Sequence, residues 1–387
     1  MINKTIAILG HRGIPASYGG FETLAAEISP LLAQHGLIVT NYCRGYLNTG
    51  LKSYLGSRLI YLPAWRFKSL ETLSHTFFAT IHLYLHPTDC ALVLNVGNAL
   101  FAWLLKLRGI KVLLNVDGLE WRRKKWGPPA RAYFKFSAWL ATKAAHALIT
   151  DSEQVKNFYL KRFNKESLMI PYGATQAETE NDQEILAEYG LEPKKYFLFL
   201  ARFEPENNPL LVRQAYEKSA TKMPIVMVGD APYAQNYISR VKKTADQRVK
   251  FLSAVYGAKA KVLMKNALAY IRASEVGGIS PALVETMGLG TCVIANDTGA
   301  NHQAAGADGI YYQLGDGSLT EILDFISINP HLAVDLGVKL KKTARIKFAW
   351  PKIAEQYFKL INSVVAPDKA VSVKAIPKSP LRQASRT

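Results

Sequence analysis

The fold is decided close to the start of the chain, by TIAILGHRGIPASYGGFET at residues 5–23. Thr5–Leu9 is a short apolar run that predicts a buried β-strand, and a loop with four glycines and one proline follows it. A helical pattern begins near Phe21. This order predicts the first half of a βαβ unit, whose backbone N–H groups can approach an anion at the helix N-terminus. A merely flexible loop is the alternative interpretation.

Similar apolar runs recur along the chain and alternate with longer helical patterns. The first series is Thr5–Leu9, Leu37–Tyr42, Leu59–Leu62, Ala91–Asn95, Lys111–Val116 and Ala147–Thr150. The second series is Tyr196–Ala201, Pro224–Val228, Val249–Leu252, Leu268–Arg272 and Thr291–Ala295. Strands that alternate with helices form parallel sheets covered by helices, so the pattern predicts an α/β fold with two Rossmann-like domains.

A polar, acidic stretch between the two series marks the predicted domain boundary. We expect a first domain over residues 1–172 and a second over 173–349, separated by the segment that contains ATQAETENDQEILAEYG at 174–190. The amphipathic stretch WPKIAEQYFKLI predicts a C-terminal helix within 350–365. The remaining 366–387 is basic and almost free of bulky apolar residues, which predicts a disordered tail.

Composition narrows the possible partners. The 387 residues are 49% hydrophobic and 20% charged, which excludes a disordered or fibrous chain. A net charge of +18 favours anionic partners, namely nucleic acid, acidic lipid headgroups or phosphorylated substrates. The three cysteines form no CxxC pair, which indicates a reducing cytoplasmic setting, and no apolar run is long enough to predict a transmembrane helix.

Two segments of the second series carry candidate anion-binding residues. Arg202 stands at the end of an apolar strand, the edge where open α/β sheets bind ligands, and its guanidinium could grip a diphosphate. A surface ion pair with a nearby glutamate is the alternative. Further on, Gly277 and Gly278 form a turn before a helix that starts at Ser280, and Glu285 lies one turn into that helix. Glu285 could bind a ribose diol. Alternatively, it is simply an acidic residue of the first turn that the helix dipole favours.

A basic run interrupted by tryptophans follows the strand at 111–116. Asp117 is placed to reach an active cleft. The run beyond it is expected to dock on an acidic membrane or an acceptor, or else to be an ordinary solvated face. Its residues are Trp121, Arg122, Arg123, Lys124, Lys125 and Trp126.

Several sequence patterns are absent. The glycine spacing fits neither GxGxxG nor GxxxxGK[ST], which weakens a nicotinamide dehydrogenase or a P-loop ATPase. There is no DxD, HExxH or GxSxG. We therefore expect no bound metal and no cofactor beyond the substrates themselves.

Taken together, these segments resemble a retaining GT-B glycosyltransferase of the glycogen synthase-like family 4. Within it they are most similar to the bacterial rhamnosyltransferases that build capsular and O-antigen polysaccharides. The resemblance covers residues 4 to about 361, with its motifs in the same order. They are RGIPASYGGFET, NVDGLEWRRKKWG, ITDSE, IPYGA, ARFEPENN, VGDAPYAQNY and EVGGISPALVETMG.

The resemblance implies two facing domains, with the donor held mainly by the second, the acceptor by the first, and the C-terminal helix crossing back onto the first. It implies catalytic roles for Asp117 and Arg202. It also implies donor contacts from Gly19, Gly20, Arg202, Asn207, Glu275, Gly277, Gly278, Ser280 and Glu285. Related sequences commonly carry an acid at the position of Gly277 and a lysine at that of Asn207; here the nearest acid to the first is Glu275.

The activity implied is retaining transfer of a hexose or 6-deoxyhexose, specifically rhamnose from dTDP-rhamnose, from a nucleotide-sugar donor to a lipid-linked saccharide acceptor. The enzyme would be cytoplasmic, with peripheral contact to the anionic inner membrane and no nucleic acid. A nucleotide-sugar epimerase or hydrolase of the same fold is one alternative, and a non-catalytic anion-binding protein is the other.

Overall fold

A computed structural model describes residues 4–16, 19–67, 70–175, 181–231 and 234–366. Almost all of the predicted tail, 367–387, lies outside the described residues, and so do Ser17 and Tyr18 of the first glycine-rich loop.

Within these residues the first domain is built on an eight-stranded sheet in the order β3-β4-β2-β1-β5-β6-β7-β8, parallel except for β3. Its strands are β1 (Thr5–Leu9), β2 (Ile38–Arg44), β3 (Ser53–Tyr54), β4 (Ser57–Leu62), β5 (Cys90–Leu94), β6 (Lys111–Asn115), β7 (Ala147–Thr150) and β8 (Leu168–Met169). Its helices are α1 (Gly20–Gln34), α2 (Glu71–Leu85), α3 (Ala99–Leu107), α4 (Pro128–Ala144) and α5 (Glu153–Phe163). Helices cover both faces of the sheet, so a central strand such as β5 is buried along its whole length.

The second domain has a six-stranded, fully parallel sheet among the described residues, in the order β11-β10-β9-β12-β13-β14. Its strands are β9 (Phe197–Leu200), β10 (Ile225–Val228), β11 (Val249–Leu252), β12 (Ala269–Arg272), β13 (Cys292–Asn296) and β14 (Ile310–Tyr312). The helices after β8 are α6 (Asp182–Glu188), α7 (Pro209–Glu217), α8 (Gln235–Lys242), α9 (Gly257–Asn266), α10 (Pro281–Leu289), α11 (Gly299–Ala305), α12 (Ser318–Ile328), α13 (Pro330–Lys347) and α14 (Trp350–Val365). The expected pair of parallel-sheet α/β domains is confirmed.

Both sheets reverse their strand order at their first strand. β1 pairs with β2 on one side and β5 on the other, and β9 pairs with β10 and β12. At such a switch point the flanking helices diverge and leave a crevice beyond the carboxyl ends of the strands. The loops after β1 and β9, which carry the first glycines and Arg202, therefore open onto the two crevices.

The last helix packs on the first domain although it follows the second in the chain. α14 contacts α1 and β6, and Tyr357 accepts a hydrogen bond from Asn115 Nδ2 at 3.1 Å. At its start Trp350 is buried against the backbone of Gly173. A single apolar core therefore runs from the first sheet through α14 to α10.

No helix of the described ranges is long and apolar enough to span a bilayer. The three cysteines are buried and free.

Candidate active site

The carboxyl edges of the two sheets come into close contact at the loops after β6, β7 and β12. Gly118, just after β6, lies so close to the second domain that a Cβ atom on it would be 3.2 Å from Gly277 Cα. A Cβ atom on Gly278 would overlap the carboxylate of Asp151, which follows β7. Gly277 also has φ +129°, a backbone conformation that other residues rarely adopt. Glycine at 277 and 278 thus lets the backbone of one domain touch the other.

The loops that follow β9 and β12 are tied to each other by hydrogen bonds. The Glu275 N–H donates to the Glu206 carbonyl at 3.0 Å. Asn208 Nδ2 donates to the Ala273 carbonyl and to Glu275 Oε1, each at 2.9 Å. The Arg202 loop and the Gly277 turn therefore form one surface on the second domain.

Arg202 lies on the side of this surface that faces the first domain. Its side chain is 40% exposed, and its NH1 is 3.6 Å from Glu204 Oε1, a long ion pair that leaves most of the guanidinium free. Its charge acts on Asp117, whose pKa it lowers against the larger effect of burial. Arg202 and the 277–285 segment thus face the same gap between the domains.

Asp117 and Asp151 form a pair of buried carboxyl groups on the opposite side of that gap. The backbone of Asp117 is left-handed, with φ +56°, and Asn115 Oδ1 accepts its N–H at 3.0 Å. Tyr172 donates a hydrogen bond to Asp117 Oδ1 at 3.5 Å. Burial raises the pKa of both carboxyls, and the charge of Asp117 raises the pKa of Asp151 further, well above its ordinary value. Both effects favour the protonated form of this pair over that of an isolated, solvated carboxyl group.

Arg123 and Lys125 of the basic run are half-buried, which differs from the solvated or membrane-facing surface expected of the run, whereas Arg122 and Lys124 are exposed. Arg123 Nε is 2.6 Å from Glu120 Oε1, and Glu120 and Asp117 raise the pKa of Arg123 despite its burial. Lys124 and Lys125 reach across the gap to Glu275, at 3.2 Å, and Glu204, at 3.4 Å. These cations join the two domains because the loop after β6 runs along the cleft.

The two tryptophans of the run are half-buried and pack inside the first domain. Trp121 stacks at a tilt on Phe158, with ring centroids 5.2 Å apart, and Trp126 packs on Phe134 at 5.1 Å. Trp126 Nε1 also donates to Glu120 Oε2 at 3.2 Å. Packed in this way, they do not form the exposed aromatic flanks that membrane docking by this run would need.

The remaining residues expected to contact the donor, which lie around α10 and at the start of α1, differ in the groups that they contact. Ser280 precedes the helix as expected, without a hydrogen bond from its side chain to the helix end, and Gly20 lies against Pro281. Glu285 Oε2 accepts the Thr175 N–H at 2.9 Å, whereas Oε1 has no hydrogen-bond partner in the described part of the chain and lies 3.5 Å from Lys261 Nζ. One carboxylate oxygen of Glu285 is thus available to a hydroxyl group. Gly19 precedes α1 near the Glu22 carboxylate.

Asn207 is placed differently from the donor contact expected of it. Its Nδ2 donates to the Arg202 carbonyl at 2.8 Å, and its Oδ1 accepts from Ser274 Oγ at 2.6 Å. Both ends of the amide are used inside the second domain, and the residue is buried. Asn207 shapes the Arg202 loop and adds no charge to it.

Arg272 is a cation that sequence reasoning missed. It is the last residue of β12, at the same sheet edge as Arg202, and none of the residues that the structure describes accepts a hydrogen bond from its Nε. Among the described residues no carboxylate lies within ion-pairing distance of it, and burial together with the charge of Arg123 lowers its pKa. Arg272 ends a predicted strand and Asp151 directly follows one. Since open α/β sheets bind ligands at this edge, that position alone could have marked both residues as candidates.

In the part of the chain that the structure describes, no group of three or more His, Cys, Asp or Glu side chains is arranged to hold a metal ion.

Comparison with known families places these residues in two adjacent segments. Residues 181–318 match the family described as glycosyl transferases group 1, and residues 86–175 match a domain of unknown function, DUF1972. The chain is 21% identical over 294 residues to alpha-maltose-1-phosphate synthase of Mycolicibacterium smegmatis, covering 67% of this chain and 75% of that protein.

Solved structures share the whole architecture. Sucrose-phosphate synthase from Thermosynechococcus elongatus superposes with a TM-score of 0.78 at 19% identity, over 94% of this chain and 100% of the other. HepE from Anabaena, solved in complex with UDP-glucose, superposes with a TM-score of 0.75 at 14% identity. The match covers 93% of this chain and 99% of HepE. The glycosyltransferase WaaG superposes with a TM-score of 0.69 at 16% identity, over 94% of this chain and 100% of WaaG. Most of the second domain is thus similar to the glycosyl transferases group 1, and the chain as a whole has the two-domain GT-B fold of these solved structures.

Proposed function

We propose that this chain transfers a hexose or 6-deoxyhexose from a nucleoside-diphosphate sugar to a lipid-linked saccharide, with retention at the anomeric carbon. Rhamnose from dTDP-rhamnose is the specific donor proposed, and bacterial cell-surface polysaccharide is the product. The protein would work in the cytoplasm at the inner face of the membrane. The observation that carries the proposal is the hydrogen-bonded surface of the Arg202 loop and the Gly277 turn, which faces Asp117 across the gap.

The donor diphosphate is assigned to this surface because it offers cations and backbone N–H groups together. Arg202 and Arg272 stand at the ends of neighbouring strands, and neither guanidinium is saturated by a carboxylate. A planar guanidinium binds phosphate oxygens through two parallel hydrogen bonds. Arg272 thereby supplies the second positive charge that Asn207 cannot. Glu285 Oε1, which accepts no hydrogen bond from the described residues, is the proposed acceptor for a ribose hydroxyl.

The proposed chemistry is a front-face displacement. The acceptor oxygen bonds to the anomeric carbon on the face from which the diphosphate leaves, while the bond from that carbon to the phosphate oxygen breaks. The proton of the acceptor hydroxyl passes to the departing diphosphate. Arg202 stabilises the charge that develops there, so no nucleophile from the protein is required.

Asp117 is proposed to orient the acceptor hydroxyl. Arg123 and Arg202 lower the pKa of Asp117 against the larger effect of its burial, and so favour its charged form. Tyr172 holds one of its oxygens, which fixes the direction of the carboxylate. A hydroxyl that donates to Asp117 has its lone pairs directed away from the carboxylate and toward the donor.

The test begins with a thermal-shift panel of nucleoside diphosphates, since a ligand that binds the folded state raises the melting temperature. Release of the nucleoside diphosphate from the matching sugar donor is then measured for the wild type, Arg202→Ala and Arg345→Ala. Arg345 is an exposed arginine of α13 and serves as the matched control. We expect Arg202→Ala to lower kcat/KM by about 100-fold, the size typical of losing one stabilising donor, and Arg345→Ala to leave it unchanged.

Equal turnover in Arg202→Ala and the wild type would refute the site. Isomerisation of the donor in the absence of any acceptor would favour the epimerase alternative instead. No turnover with any donor, combined with DNA binding that falls steeply with salt, would favour an anion-binding protein.

A further inference from the structure

The outer surface of three neighbouring helices in the first domain is apolar where an exposed helix is ordinarily polar. Its members are all large hydrophobic residues with between 38% and 72% of their surface exposed: Phe77, Ile81, Tyr84, Leu85, Leu100, Trp103, Leu107, Phe136 and Trp139. We call these residues the apolar face.

The spacing of these residues shows that they share one side of each helix. On α2 they recur at intervals of three and four residues from Phe77, and on α3 they are Leu100, Trp103 and Leu107. The opposite sides of the same helices bury small and branched residues against the sheet, such as Leu83 and Leu105. One side of each helix therefore packs in the core, and a second apolar side is exposed on the surface.

The face is continuous across the helices. α3 packs against both α2 and α4, and the ring of Phe77 lies 6.4 Å from that of Phe101 on the neighbouring helix. On α4 the rings of Phe136 and Trp139 lie 5.6 Å apart. Scattered exposed hydrophobic residues are ordinary, but a contiguous apolar surface on neighbouring helices marks an interaction site.

The charges around the face identify the partner. The helices α3 and α4 contain Lys106, Arg131, Lys135 and Lys143 and no acidic residue, and Arg108 follows directly. Each of these cations except Lys106 is exposed. Exposed tryptophans together with leucines, bordered by lysine and arginine, suit the interface of a bilayer that contains anionic lipids.

We infer that the apolar face docks this protein on an anionic phospholipid bilayer, with Trp103, Leu107 and Trp139 entering the interface. Only the purpose of the docking rests on the proposed function. That purpose is to bring a lipid-linked acceptor to the gap between the domains. α4 begins directly after the loop of Asp117, and Trp126 of that loop packs on Phe134 of α4. The docking surface and the acceptor side of the gap are thus built on one element.

The experiment is co-sedimentation of the full chain with vesicles, in the absence of donor and acceptor. The vesicles are phosphatidylcholine alone, or phosphatidylcholine with about one third phosphatidylglycerol. The test variant is Leu107→Glu/Trp139→Glu, which places charge on the apolar face. The matched control is Val338→Glu/Ile346→Glu on α13, whose two side chains are 64% and 58% exposed.

We expect the wild type and the control to bind the anionic vesicles, and the test variant to bind about tenfold more weakly or not at all. Binding should weaken on pure phosphatidylcholine and when NaCl is raised from roughly 0.1 M to 0.5 M. All sites are exposed, so the melting temperatures of the three proteins should agree. Retention of wild-type binding by the test variant would overturn the inference, as would a wild type that stays in the supernatant with both vesicles.

A wild type that is dimeric in solution, becomes monomeric in the test variant and ignores vesicles would also overturn it, because a second copy would then cover the face. Donor cleavage by water, measured on the same preparations without lipid, reports the proposed function separately. Donor cleavage without vesicle binding would overturn the docking inference but not the proposed function. Vesicle binding without donor cleavage would overturn the proposed function but not the docking inference.

Discussion

Asp151 of the first domain touches the backbone of Gly278 of the second so closely that any side chain on Gly278 would overlap its carboxylate. The contact joins the end of β7 to the turn after β12, the two sheet edges at which ligands of open α/β sheets bind. It also keeps water from Asp151, and burial is the main reason for the raised pKa of that carboxyl.

Replacing Gly278 by alanine is expected to separate the two sheet edges. The added methyl group meets Asp151 in a packed gap, so the domains must shift or the loop must move. We expect kcat/KM to fall by about 100-fold, because misplacement of reacting groups by an ångström costs that much. The control is Gly299→Ala, which has open space around its Cβ position and no positive φ. Equal activity of the two variants would show that the contact has no catalytic consequence.

Arg272→Ala is expected to weaken binding of the nucleoside diphosphate without destabilising the protein. A charge-assisted hydrogen bond contributes about 1.5–3 kcal/mol, so the affinity measured by calorimetry should fall by at least about tenfold. The melting temperature should stay level or rise, because the substitution removes a buried cation from the repulsion of Arg123. An arginine with a merely structural role would give the opposite result, namely unchanged affinity and a lower melting temperature.

Asp151→Asn is expected to stabilise the protein increasingly as the pH rises. The folded protein binds a proton on Asp151 that the unfolded chain has released above its ordinary pKa. Its unfolding free energy therefore falls as pH increases through that window, by at most about 1.4 kcal/mol per pH unit. Asparagine cannot ionise and can still donate to Asp117, so it escapes this loss. Urea denaturation between roughly pH 5 and pH 8 measures the difference.

The control for this series is Asp335→Asn, an exposed carboxylate on α13. Its stability should follow that of the wild type at every pH. A difference between Asp151→Asn and the wild type that stays constant with pH would contradict the raised pKa of Asp151.

His11 and His75 are expected to stay neutral down to acidic pH. Burial is the main reason that the pKa of His11 is lowered to about 3 and that of His75 to about 4; His75 contributes to the lowering at His11, and Arg44 contributes to it at both. In the unfolded chain they take up protons near the ordinary value of about 6.5. Stability is therefore fully present above that value and is lost as the pH falls below it toward the folded values.

Proton NMR of the histidine rings checks this directly. Two of the ring resonances should show no titration above roughly pH 5. Titration of all ring resonances near pH 6.5 would disprove the burial effect.

Most of the strands could be predicted because a buried parallel strand is a continuous apolar run. Thr5–Leu9, Ala147–Thr150 and Val249–Leu252 were predicted with the observed bounds, and most of the others to within two residues. The short β3, β8 and β14 were missed because two or three residues carry too little pattern. α13 was missed as well, since its 18 residues mix small, charged and apolar side chains.

The sequence by itself determined the two parallel sheets, and with them the loops that stand at each carboxyl edge, including those of Asp117, Arg202 and Gly278. It could do so because hydrophobic periodicity and glycine position are local properties of the chain. Only the tertiary structure decided what those loops meet. Four features arise where distant segments come together: the burial of Arg123, the raised pKa values of Asp117 and Asp151, the internal role of Asn207, and the position of Arg272 away from any carboxylate of the described residues. Desolvation and pairing there depend on the distances between domains, and no spacing along the sequence encodes those distances.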